Sequence, residues 1–140
     1  MGSKIFKLIL IVSITLTSCM GPAVYREELI AGYELSANDD ISEMSIYVLD
    51  TPYVVGVVNS TVYSVGFDND FIIAKQHPFV NSVINKAITF YYIIPISYRI
   101  SNSLSLNRIG PLTQNEFLKK REELEISEKL EFTITIDELK

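Results

Sequence analysis

The sequence predicts an α+β domain: a small antiparallel β-sheet of about five to six strands with one C-terminal helix packed on it, following an N-terminal signal peptide. Three observations carry this. Short runs rich in Val, Ile, Tyr and Phe recur between turn-forming residues from Gly32 onward, as strands do. The hydrophobic period becomes helical once, at GPLTQNEFLKKREELEI. The first 18 residues set a positive end before an apolar run, the order found in export signals. With 140 residues, the chain supports one domain with a modest core.

Lys4 and Lys7 form the positive region, and LILIVSITL, residues 8–16, forms the apolar one. A transmembrane helix needs about 20 apolar residues, and this run is shorter and softened by Ser13 and Thr15. It ends on Leu16-Thr17-Ser18-Cys19, which contains the single cysteine of the chain. One cysteine excludes an internal disulfide and a cysteine-rich zinc site. An aliphatic residue, two small residues and a cysteine at the end of an export signal resemble the lipobox of bacterial lipoproteins. That resemblance implies a diacylglyceryl group on the Cys19 thiol, with acyl chains such as palmitate, and cleavage between Ser18 and Cys19. Two or three acyl chains anchor a protein stably where one does so marginally. The implied organisation is a signal peptide at 1–18, a lipidated cysteine and tether at 19–31, and a single α+β domain at 32–140. The implied location is the cell membrane or the outer membrane, with the domain outside the cytoplasm. Met20, in place of the aspartate associated with inner-membrane retention, favours the outer membrane where there is one.

Within the domain, GYEL opens with a brief alternation and SANDD collects turn residues. SIYVLD and YVVGVV read as strands separated by Asp50-Thr51-Pro52. TVYSVGFDNDFIIAKQ reads as a hairpin about Asp68-Asn69-Asp70, with Tyr63, Val65 and Phe67 on one face of the first arm and Phe71 and Ile73 sharing a face of the second. Gly66 marks a bulge or a close contact. HPFVNSVINK fits a loop or a helical turn, and AITFYYIIPIS a strand ended or pushed to an edge by Pro95. YRISNSLSLNR reads as a return loop or weak strand.

Thr113 and Glu116 then form a capping box, with Leu112 and Phe117 at the positions of a hydrophobic staple. Phe117, Leu118 and Leu124 give the helix an apolar stripe, and Glu116/Lys120, Lys119/Glu123 and Arg121/Glu125 are opposite charges four apart. KLEFTITIDELK alternates Phe132, Ile134 and Ile136 against Thr133 and Thr135, the pattern of a half-buried strand. The order GYEL, VGFDNDFIIAKQHP, TFYYIIP, GPLTQNEFLKKREEL is similar to an uncharacterised family of small bacterial lipoproteins carrying a domain of unknown function. The resemblance implies one compact, secreted α+β domain and brings no functional residues with it.

Charge narrows the partners. The formal charge is −5, and residues 1–18 hold two lysines and no acid, which leaves −7 on the remainder. Nucleic acid is therefore not an expected partner, because no basic face is available to displace phosphate counterions. His77 is the single histidine and reads as a surface residue at a strand end. Asp68 and Asp70 resemble the start of a calcium loop, but DNDFIIAKQHPF is apolar where later ligands belong, so a turn is expected. Asp39 and Asp40 read as turn residues. Tyr91, Tyr92 and Tyr98 could line a sugar or peptide surface, yet alternation puts Tyr91 and Tyr92 on opposite faces, and core packing is the expectation. No catalytic residue, metal or cofactor is nominated. The chain reads as a lipid-anchored, non-catalytic binding or structural module of the cell envelope with an envelope protein as partner. The alternatives are an inhibitor or immunity lipoprotein, whose acidic charge would suit a basic target, and an envelope hydrolase with unrecognised carboxylates.

Overall fold

A computed structural model describes residues 22–50, 52–96 and 108–140. β1 Tyr25–Glu28, β2 Tyr33–Ala37, β3 Ser45–Asp50 and β4 Tyr53–Val58 form an antiparallel sheet in chain order. After β5 Val62–Phe67 and β6 Phe71–Gln76 comes a short hairpin, β7 Phe79–Val80 and β8 Val83–Ile84. β9 Phe90–Pro95, β10 Ile109–Leu112, the helix α1 Gln114–Glu123 and β11 Ile134–Thr135 complete the order. The second sheet runs β10-β9-β6-β5-β11, antiparallel at every pairing. The domain is thus mainly antiparallel sheet with one helix near its C-terminus among the described residues, and it has two main sheets where the strand runs suggested one.

The five-stranded sheet lies in the middle because both of its faces are apolar. On β6, Ile72 and Ala74 point into a core shared with Tyr33, Leu35, Ile46, Val48, Val57 and Val58 of the first sheet, all buried. The alternate residue Ile73, with Ile93 of β9, points the other way onto Phe117, Ile126 and Leu130. Strands buried on both faces read as near-continuous apolar runs, which is why FIIA and YYII carry so little polar alternation. The two sheets are laced at one corner, where the Thr61 and Val62 amides donate to the carbonyls of Ser42 and Met44 at 2.9 and 3.0 Å. Elsewhere the Arg108 guanidinium donates to the Val57 carbonyl at 2.7 Å and so ties the chain entering β10 to β4.

Several elements differ from the sequence reading. The chain enters the fold at Tyr25 rather than Gly32: β1 pairs Tyr25–Glu28 with Glu34–Ala37, and Arg26 meets Glu34 at 3.2 Å. Its polar composition, which suggested a tether, is that of an edge strand, where charged side chains guard open backbone groups. Residues 77–86 form the β7–β8 hairpin and no helix, because Asn81 and Ser82 both take positive φ, 49° and 63°, as a tight two-residue turn requires. Phe132 faces the helix side while Ile134 and Ile136 face the inter-sheet core, so the final alternation is broken where the chain rolls over the edge of β5.

The helix starts as its sequence dictates. The Thr113 hydroxyl accepts from the Glu116 amide, the Glu116 carboxylate accepts from the Thr113 amide at 2.8 Å, and Leu112 and Phe117 share the helix-side cluster. Those hydrogen bonds hold the Glu116 carboxyl below its usual pKa. The apolar stripe is narrower than expected: Phe117 is buried, Leu124 half-buried, and Leu118 stays exposed. Of the charge pairs, Lys119 meets Glu123 at 3.9 Å and Lys120 also reaches Glu123, whereas Arg121 turns to the carbonyls of Ser127 and Leu130 at the helix exit.

Candidate functional site

Cys19 and Ser18, the residues assigned to lipidation and cleavage, lie outside the described residues, as do Tyr98 and most of YRISNSLSLNR. The described residues show where that N-terminal segment joins the domain. The Val24 amide donates to the Asn38 carbonyl at 3.2 Å, which places Val24 beside the end of β2. From Asn38 the chain runs on to Asp40 and Ser42, and hydrogen bonds then continue along one rim of the molecule. Asp40 caps the 3₁₀ turn Ile41–Glu43, its carboxylate accepting from the Ser42 amide at 2.8 Å. Ser42 accepts from Thr61, whose carbonyl in turn accepts from the His77 amide. The Pro78 carbonyl accepts from Asn85 at 2.9 Å, across the base of the β7–β8 hairpin. This rim, called here the entry rim, therefore carries both the start of the described chain and the hairpin.

Several of its side chains are apolar and exposed: Val24, Phe79, Val80, Val83 and Ile88 all face solvent, Val83 at 66% and Phe79 at 52%. The hairpin is held from beneath by Ile84, packed against the main core. At the opposite rim lie the Asp68–Asp70 turn, the β1–β2 turn and the β3–β4 turn, with Leu49, Tyr53 and Val54 exposed. A shallow depression of about 220 Å³ opens there between Leu29, Ile30, Gly32 and Leu49.

His77 is buried, which corrects the surface reading. Its ring stacks on Tyr63 with centroids 4.2 Å apart, its Nδ1 meets the Ile88 carbonyl at 2.7 Å, and its own carbonyl accepts from the Thr61 hydroxyl. An imidazole held this way joins the β6 exit to the chain leading into β9. The carboxylate of Asp68 accepts from the amides of Asp70 and Phe71 at 2.9 and 2.8 Å and so builds the turn. Tyr92 is buried toward the main core, where its hydroxyl donates to Gln76 at 2.7 Å; Tyr91, on the other face, stacks on Phe117 at 4.9 Å. Among the described residues, no buried side-chain nitrogen or oxygen lacks a hydrogen-bond partner.

Lys75 was not singled out by its sequence. Its ammonium lies 4.2 Å above the Phe132 ring and 5.8 Å from that of Tyr91, a cation–π arrangement on the helix side of β6. Burial, and secondarily the charge of Lys140, draws its pKa below the usual lysine range. Only the period of two around Phe71 and Ile73 could have placed it there, because its aromatic partners come from β9 and from a segment over fifty residues away.

A family model described as "Protein of unknown function (DUF3997)" matches residues 31–139. No curated protein and no solved structure matches the chain.

Proposed function

The chain belongs to the DUF3997 family, and from that premise we propose that it is a lipid-anchored cell-envelope protein whose α+β domain is a non-catalytic binding or structural module with an envelope protein as partner. The observation that carries this is Leu16-Thr17-Ser18-Cys19 at the end of an apolar run preceded by Lys4 and Lys7. Two small residues before a lone cysteine suit a processing enzyme that must reach thiol and scissile bond at the membrane surface. The non-catalytic reading is supported by the commitments of the polar side chains. His77, Asp68 and Asp40 each hold backbone groups in place, so the groups most suited to proton transfer are engaged in building turns and junctions.

Metabolic labelling with a fatty acid tests the anchor. Label in the wild type and none in Cys19→Ser is the expected result; equal label in both would overturn it. In-cell crosslinking of the lipidated protein tests the module: recovery of one stoichiometric envelope protein is expected, and turnover of a cell-wall substrate by the purified chain would defeat the non-catalytic reading.

A further inference from the structure

We infer that the entry rim is a membrane-contacting surface: the β7–β8 hairpin, with Phe79, Val80, Val83 and the neighbouring Ile88, lies in the lipid interface beside the anchor. This rests on the reading of Cys19 as the lipid attachment point. Val24 follows Cys19 by five steps along the chain, and a fully extended chain covers at most about 3.5 Å per residue, so Val24 stays within roughly 17 Å of the acylated residue. The rim that holds Val24 is thereby kept at the bilayer. The same rim carries the hairpin: Val24 bonds Asn38, the chain runs on from Asn38 to Ser42, and hydrogen bonds lead from Ser42 through Thr61 to His77.

The chemistry of the hairpin fits that position. Val80 pairs with Val83 and Phe79 with Ile84, so the β-ribbon presents apolar side chains on both sides, and only Ile84 is turned into the core. Phe79, Val80 and Val83 are exposed on this short ribbon and Ile88 is exposed four residues beyond it, and clustered exposed apolar side chains mark a contact surface. Lipid is the occupant because the tether leaves little room between this rim and the bilayer. Apolar insertion, rather than attraction of charge, carries the contact, since the rim also holds Asp39, Asp40 and Glu43, and the Lys86 ammonium is engaged by the carbonyls of Glu138 and Lys140. Neutral lipid is therefore sufficient.

Lipidation leaves Cys19 without a free thiol, so Val83→Cys in the full, lipidated chain supplies a single labelling site. Asn69→Cys, exposed in the turn at the opposite rim, is the control. With an environment-sensitive fluorophore at each, the protein is reconstituted in phosphatidylcholine vesicles containing a nitroxide lipid and, separately, exposed to aqueous iodide. Severalfold stronger quenching by the nitroxide lipid at position 83 than at 69, with the reverse order for iodide, is expected. Equal nitroxide quenching at both positions in a chain that still carries fatty acid would overturn the inference while leaving the anchor intact. Protection of position 83 from both quenchers would also overturn it, by placing protein over the hairpin. A chain without fatty acid would overturn the anchor, and the inference with it.

Discussion

Ile72 and Ile73 are neighbours in β6, both fully buried, and they point into different interiors. Ile72 enters an aliphatic core closed by a second hydrogen-bonded sheet, with Leu35, Met44, Ile46 and Val58 around it at zero exposure. Ile73 enters a smaller, aromatic interior closed by α1 and the chain from Ile126 to Phe132, where Tyr91 stacks on Phe117 and Phe132 meets Tyr91 edge-on and Phe117 at a tilt. Of the helix residues, Phe117 alone is fully buried. A core between two sheets is held by many ladders at once, whereas a cover attached through few side chains can settle or lift. The difference teaches that one sheet can belong to two units of unequal stability.

The sharpest test of that contrast is a matched pair. Ile72→Ala should cost about 4–5 kcal/mol, the upper part of the usual range, because two sheets cannot close the cavity. Ile73→Ala should cost less, about 2–3 kcal/mol, because the helix can settle into the space. Urea unfolding of both variants measures this, and equal losses would erase the distinction between the two interiors.

Gly66→Ala probes the cover directly. A Cβ there would fall 1.9 Å from the Glu131 carbonyl oxygen, a backbone atom that cannot rotate away. The variant should lose about 1–3 kcal/mol, as overpacking does, with amide exchange rising first in residues 126–136. Uniform acceleration across both sheets would show that the cover and core do not separate. Thr113→Ala, which removes the helix cap, should cost about 1 kcal/mol and should accelerate exchange in α1 while leaving β2 and β3 unchanged.

The smallest effect lies at the margin of the inter-sheet core, against which half-buried Tyr25 packs. Tyr25, on the edge strand β1, donates to Glu27; partial burial, then that hydrogen bond and the charge of Glu27, push its pKa up to about 12. The folded value exceeds the unfolded value of about 10, so this contribution is complete below about pH 10 and is lost as the pH rises toward about 12. Stability should decline over that window, and Tyr25→Phe should flatten the slope. An unchanged slope would assign it to Tyr91 and Tyr92, whose pKa values burial also raises.

How much of this was legible in the sequence depended on the range of the interactions. The Asp68-Asn69-Asp70 turn, the Thr113–Glu116 box and the strands SIYVLD, YVVGVV and FYYIIP are set by neighbours within a few residues, and each lies where its residues indicate. The close contact at Gly66 was legible as a gap without a side chain, but its partner, Glu131, was not. His77 was misread because burial is a property of what folds over a residue: the cover is Tyr63 on β5 and the Ile88 carbonyl before β9. β1 was misread for the opposite reason, since an edge strand wears the composition of a loop.

The sequence by itself determined the local elements and, in Leu16 to Cys19, the signature on which the proposed compartment rests. Both are written in adjacent residues, one for backbone geometry and the other for a processing enzyme that reads an extended chain. Tertiary structure alone decided that the strands divide into two sheets, that the middle sheet serves two interiors, and that the exposed hairpin shares a rim with the entering chain. Those outcomes depend on pairings such as Ile134 with Val65 and Met44 with Val62, which bring together residues far apart in the chain.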